Sequence, residues 1–96
     1  MKLLELITAR RIEILEIASR HGVSNLRVFG SVARQEESDL SDVDFLVEVT
    51  GKTSPWFPGG LIRELQELIG RRVEIVTDRA LNPRLRDRVL GEARPV

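Results

Sequence analysis

The residues Val43–Val49 constrain this chain more than any others. Val43, Phe45, Val47 and Val49 alternate with Asp44, Leu46 and Glu48, the two-residue period of a β-strand with one face on a core. Asp42 and Asp44 stand two apart at its start, and side chains at that spacing point to one face of a strand. Two carboxylates brought together repel each other unless a cation lies between them or one takes up a proton. Their face turns from acidic to apolar at Leu46, which leaves the aspartates at the strand's mouth, within reach of solvent. Residues 26–29 form a shorter apolar run that ends in Gly30-Ser31, which predicts a strand entering a corner. Ser31 is placed to be the N-cap of a short helix through Arg34. Backbone N–H groups and a hydroxyl at such a corner suit phosphate oxygens, although Gly-Ser is also a common way to turn a chain. Corner and carboxylates together describe a site for a metal-bound nucleotide.

Around that centre the chain alternates. Residues 2–20 read as an amphipathic helix with Leu4, Ile7, Ile14, Leu15 and Ala18 at helical spacing. Gly22 is placed as the residue that closes it, and His21 reads as a capping residue at the negative helix end rather than a catalytic base. Residues 35–41 form a polar loop, and 50–60 a longer one carrying Trp56-Phe57, which can pack back onto the core or meet a partner. A second amphipathic helix spans 61–69, closed by Gly70, and a third strand spans 72–77. Asn82-Pro83 is an N-cap and N1 pair opening a helix through about Leu90. The expected fold is α/β, a small mixed sheet of about three strands flanked by helices in the order αβαβαβα, as one domain over 1–96.

With 96 residues the chain can bury a modest core. The absence of cysteine excludes disulfides and thiolate metal sites, and the single histidine, His21, argues against zinc. No apolar run reaches the roughly 18 residues of a membrane span, and charges at Glu5, Arg10 and Arg11 break any leader-like stretch after Met1. The expected location is the cytoplasm, without membrane contact. Lys and Arg balance Asp and Glu at 15 each, but unevenly along the chain. Glu36, Glu37, Asp39, Asp42, Asp44 and Glu48 cluster without a base among them, whereas arginines dominate from Gly70 onward, at 71, 72, 79, 84, 86, 88 and 94. This pattern fits a cation site beside a surface for a polyanion or acidic partner, but most of these charges taken singly fit better as solvated faces with local ion pairs.

One carboxylate interrupts the third strand. Glu74 sits within Val73-Glu74-Ile75-Val76, where burial would be costly without a partner or metal. Beside the second strand it would join Asp42 and Asp44 as a third ligand or a base; on an edge strand it would face water and pair with an arginine such as Arg72. Magnesium is the ion that two such carboxylates, substrate phosphates and water usually hold. Two ions roughly 3.5–4 Å apart can clamp the attacking and leaving oxygens of an in-line displacement. No Gly-Lys-Ser/Thr of a P-loop and no GxGxxG is present, and Leu46 and Val47 occupy positions that an EF-hand loop counted from Asp42 needs for a ligand and a glycine.

Gly30-Ser31-Val32-Ala33-Arg34 followed by Ser41-Asp42-Val43-Asp44-Phe45-Leu46-Val47 resembles the GSxARG…SDxDLxV signature of minimal nucleotidyltransferases of the DNA polymerase β-like superfamily, which include antitoxins encoded beside HEPN ribonuclease toxins. The resemblance implies the small mixed-sheet fold of that superfamily, Mg²⁺, ATP as substrate, and transfer of AMP to a hydroxyl. In such antitoxins the acceptor is a tyrosine of the HEPN toxin, held in a hetero-oligomeric complex. Carried onto this chain, Gly30, Ser31 and Arg34 match the nucleotide-binding corner, and Asp42 and Asp44 the catalytic metal pair. Glu74 falls where the family has its third carboxylate, usually Asp, and Gln35 stands where it has Gly. A glycine there would matter if the loop requires positive φ.

Other classes remain to be weighed against an adenylyltransferase antitoxin. A catalytically weak domain could neutralise its partner by binding alone, a role the substitutions at 35 and 74 would permit. A small-molecule nucleotidyltransferase would need a second substrate-binding region for which so short a chain has little room. Direct nucleic-acid binding is not expected, because no reading motif accompanies the arginines.

Overall fold

The computed structural model describes residues 2–38 and 40–96; Met1, and Asp39 of the acidic run, lie outside the described residues. Two helices open the chain, α1 (Leu3–Ala9) and α2 (Arg11–Arg20), where periodicity predicts one. The ladder of hydrogen bonds still runs through the break, from Arg10 N to Leu6 O and from Ile14 N to Arg10 O. What changes is the backbone of Arg10, at φ −101° and ψ 15°. Thr8 Oγ1 also donates to Leu4 O, one turn before the break, a bond that tends to bend a helix. The bend changes which residues face inward: Leu3, Ile7, Ile14, Ile17 and Ala18 are buried, while Leu4 and Leu15 are only partly so. Gly22, at φ +77°, closes α2 as expected.

Strand β1 (Val23–Phe29) begins earlier than its apolar run. Its register shifts between Ser24 and Arg27, where Asn25 adopts φ 51°. Asn tolerates that left-handed conformation, and the irregularity hides the strand's start from an alternation test. A short helix α3 (Gly30–Ala33) follows, then β2 (Val43–Val49), α4 (Gly59–Ile69) and β3 (Val73–Thr77). A 3₁₀ turn (Asp78–Ala80) leads to α5 (Pro83–Glu92), capped by the Asn82 side chain accepting from Arg84 N at 2.9 Å, and to β4 (Arg94–Pro95).

The sheet has four strands in the order β3-β2-β1-β4. β2 runs antiparallel to β1 and parallel to β3, with α4 as the crossover that a parallel pair requires. The fold class is thus the expected mixed α/β one, with a fourth strand added. β4 is too short for any periodicity, and its Pro95 sits on an edge, where a strand tolerates a missing N–H.

One face of the sheet holds the core. Val43, Phe45 and Val47 of β2, Val28 of β1 and Val73 of β3 pack with Ile7, Ile14, Leu61 and Leu65 of the helices. Leu46, on the opposite face of β2, is fully buried but outside that cluster. The opposite face carries Asp44. Of the aromatic pair before α4, Phe57 packs against the core and Trp56 stays 83% exposed. No helix among the described residues is long and apolar enough to cross a membrane.

Candidate active site

The strand register sets the carboxylates in a row. Asp44 of β2 pairs with Phe29 of β1 on one side and with Glu74 of β3 on the other. All three lie on the face opposite the core, at the end of the sheet where β1 turns into α3. Asp42, two residues before Asp44, is half-buried just ahead of β2. The structure therefore brings Asp42, Asp44 and Glu74 together, as the second of the two sequence placements for Glu74 does not. β3 is indeed an edge strand and Glu74 is exposed, but its carboxyl group meets Asp44 rather than an arginine. Arg72 instead approaches Asp42, Nε to Oδ1 at 3.9 Å, and its side chain is 83% exposed. A pair that loose and that wet contributes little.

Burial acts most strongly on Asp44 and pushes its carboxyl up to about 6, from an ordinary 3.8. The hydrogen bond and charge of Glu74 and the charge of Asp42 push in the same direction, while Arg34 opposes them. Such a site holds more negative charge than its own residues neutralise.

Gly30 completes the approach to Asp44. It adopts φ +74°, and a Cβ on it would collide with Asp44 Oδ2. The backbone conformation favours glycine here, and any side chain would push the Asp44 carboxylate aside. Ser31 follows as the second residue of α3, so it is not the N-cap; that position is Phe29, which supplies no side-chain acceptor. The strand runs directly into the helix through Gly30, and the Ser31 hydroxyl is not spent on capping it. Arg34 ends α3 and is held by two carboxylates, Nη1 to Glu92 Oε2 at 2.6 Å and Nε to Glu36 Oε2 at 3.1 Å. Glu92 first, then Glu36, hold its guanidinium still more firmly protonated than usual. Gln35 takes φ 57°. The position thus does call for the left-handed conformation that glycine adopts freely, and Gln35 meets it at a cost of about 1–2 kcal/mol.

The donor set fits magnesium. Every candidate ligand is a carboxylate oxygen, and two carboxylates with room for phosphate and water is the usual provision for that ion. Among the described residues no group of three or more acidic or histidine side chains forms a ready-made cage, so the protein's share would be partial, with substrate oxygens making up the rest. His21 is elsewhere, at the far end of β1. Its Nε2 meets the Glu64 carboxylate of α4, which also accepts from Arg20 Nη1 at 3.0 Å. The histidine sits at the cap position, as expected, and its side chain ties α2 to α4.

The sequence offers Arg72 only as a partner for Glu74 and Glu36 only as one of an acidic run, and it carries no sign of Glu92 as a neighbour of this site. The three come from the turn into β3, a loop and α5, and only the folded chain assembles them.

The profile of the nucleotidyltransferase domain family matches residues 11–96. Over 81 residues the chain is 40% identical to a Methanocaldococcus jannaschii protein named as a protein adenylyltransferase, covering 84% of this chain and 87% of that one. It is 36% identical over 87 residues to the protein adenylyltransferase MntA of Thermococcus cleftensis, covering 91% of this chain and 85% of the relative. A solved structure described as a minimal nucleotidyltransferase is 45% identical and matches with a TM-score of 0.85, over 100% of this chain and 97% of the other. A toxin–antitoxin structure with AMP-PNP has the same fold, at a TM-score of 0.73 and 17% identity, over 88% of this chain and 69% of that one. The chain belongs to the nucleotidyltransferase domain family, and it is an enzyme of the transferase class.

Proposed function

We propose that this protein is a Mg²⁺-dependent adenylyltransferase that moves AMP from ATP to a tyrosine hydroxyl of a HEPN ribonuclease toxin, and so acts as its antitoxin in the cytoplasm. The observation that carries this reading is the row formed by the Gly30 corner, Asp44 and Glu74, with Asp42 beside it. Relatives named as protein adenylyltransferases support the activity, and the fold shared with a toxin–antitoxin structure supports the role.

In this reading Asp42 and Asp44 hold the metal, two ions in all, and Glu74 completes the set. When bound, the metal neutralises the triphosphate and polarises the phosphoryl group under attack. Gly30 and Ser31 receive the phosphate tail with backbone N–H groups and a hydroxyl. Arg34, with Nε and Nη1 engaged by Glu36 and Glu92, would offer its remaining N–H groups to a phosphate oxygen. Glu74, exposed at the sheet's edge, takes the proton of the incoming hydroxyl. The hydroxyl oxygen bonds to the α-phosphorus, the bond from that phosphorus to the bridging oxygen breaks, and pyrophosphate leaves. Catalysis rests on positioning and charge neutralisation by preorganised groups.

The test is to incubate the protein with the HEPN protein encoded beside it, ATP and Mg²⁺, and to weigh that partner intact. An AMP-sized increment on a tyrosine is expected, lost in Asp42→Ala and Asp44→Ala and strongly reduced in Glu74→Gln. No increment, with the aspartate variants still neutralising the toxin, would establish inhibition by binding alone. Near-normal transfer by Glu74→Gln would remove Glu74 from the ligand and base roles.

A further inference from the structure

Next to Asp42, on the side away from the Gly30 corner, lies a cleft of about 380 Å³ lined by Leu40, Ser41, Asp42, Gly70, Arg71 and Arg72. Its walls are held in place. Arg71 Nη2 donates to the carbonyls of Ser38 and Ser41, at 2.7 and 2.8 Å, and so ties the loop before β2 to the turn before β3. Val43 N donates to Arg72 O at 2.8 Å, which closes the floor between them. Ser38 N bonds Ser41 Oγ at 2.8 Å within the loop itself. Two side chains stand out from this rim without a strong partner among the described residues. Leu40 is 93% exposed, and Arg72 is 83% exposed with only the 3.9 Å approach to Asp42.

The position of the cleft gives it a role. Across the sheet the order is the Gly30 corner after β1, then Asp44 on β2 with Asp42 just ahead of it, then Glu74 on β3 with Arg72 in the turn before it. In phosphoryl transfer the attacking and leaving oxygens lie roughly in line on opposite sides of phosphorus. With the phosphate tail at Gly30 and Ser31, pyrophosphate departs on the β1 side and the acceptor hydroxyl enters from the β3 side, where the cleft opens. The geometry points to this cleft as the docking site of the acceptor polypeptide, through an acidic side chain set against Arg72 and an apolar one against Leu40. This rests on the adenylyltransferase reading and adds the recognition chemistry of its protein substrate. An exposed arginine selects a carboxylate, and an exposed leucine beside it gains most from covering by an apolar side chain.

The experiment is steady-state AMP transfer to the HEPN protein encoded beside this chain, varying that acceptor and ATP in turn at saturating Mg²⁺. Arg72→Gln should raise the KM for the acceptor about fivefold, as loss of a single charged contact worth about 1 kcal/mol would. The KM for ATP and kcat should stay within about twofold, and Arg72→Lys should recover most of the loss. Leu40→Ser should also raise the acceptor KM and not that for ATP. A rise in the KM for ATP instead, or an unchanged acceptor KM in both variants, overturns the assignment. Binding is measured separately in an Asp44→Asn background, where Arg72→Gln should weaken association with the same partner about fivefold; unchanged affinity there overturns it too. Should the native protein transfer no AMP, the adenylyltransferase reading fails, and the affinity comparison still decides the cleft.

Discussion

At Asp44, burial and two neighbouring carboxylates act together to favour the protonated form. Its folded-state value near 6 stands above the ordinary 3.8. The stability this group contributes is therefore fully present below the unfolded value and is lost as pH rises through about 6. In a chelating buffer, melting temperature should fall between about pH 4 and pH 6, followed by scanning calorimetry. Asp44→Asn should abolish that fall, raise stability at neutral pH, and eliminate AMP transfer. A flat profile for the native protein would show that the charge conflict is relieved some other way. In the proposed reading the residue that limits stability is also a metal ligand, the common trade at active sites. Gln35 also carries a local cost, a left-handed non-glycine residue at the end of α3.

At the scale of elements, the C-terminal segment braces the Gly30 corner from outside. Glu92 of α5 holds Arg34 at the end of α3, and β4 lies beside β1, the strand that delivers Gly30. Val96 N extends that pairing by donating to Leu26 O at 3.0 Å, and its side chain packs against the core. Removing residues 94–96 should cost about 1–3 kcal/mol in urea unfolding, the sum of a few net hydrogen bonds and a partly buried valine. It should also leave the β1 edge unpaired, so that sedimentation detects self-association as concentration rises. Stability and sedimentation unchanged from the full chain would show that β4 adds no more than a loose end.

For the molecule as a whole, folding concentrates carboxylates at one end of the sheet although the formal net charge is zero. A ligand that carries cations there should stabilise the entire fold, because it binds the folded chain alone. Mg²⁺ with a non-hydrolysable ATP analogue at a hundred times its Kd should add about 2.7 kcal/mol at neutral pH, seen as a rise in melting temperature. The gain should shrink near pH 5.5, where protons compete with the metal at Asp44, and vanish in Asp42→Ala/Asp44→Ala. An equal gain in that double variant would move the binding site away from these aspartates.

Much of this was legible in the chain itself. The alternation over 43–49 and the spacing of Asp42 and Asp44 depend only on the two-residue period of a strand, which is a local property. The Gly-Ser corner, the cap at Asn82 and the closing Gly22 are local as well, and all lie where residue chemistry puts them, though the helix at the corner starts at Gly30 rather than after Ser31. The bend at Arg10, the bulged start of β1 and the two-residue β4 were hidden, because each breaks the periodicity that reveals an element. What tertiary structure alone decided is the company each side chain keeps. Glu74 could have faced an arginine in water or a carboxylate across a strand, and nothing within five residues of it distinguishes the two. The parallel register of β3 against β2 chose Asp44, because pairing is set between segments thirty residues apart and leaves no mark in either one.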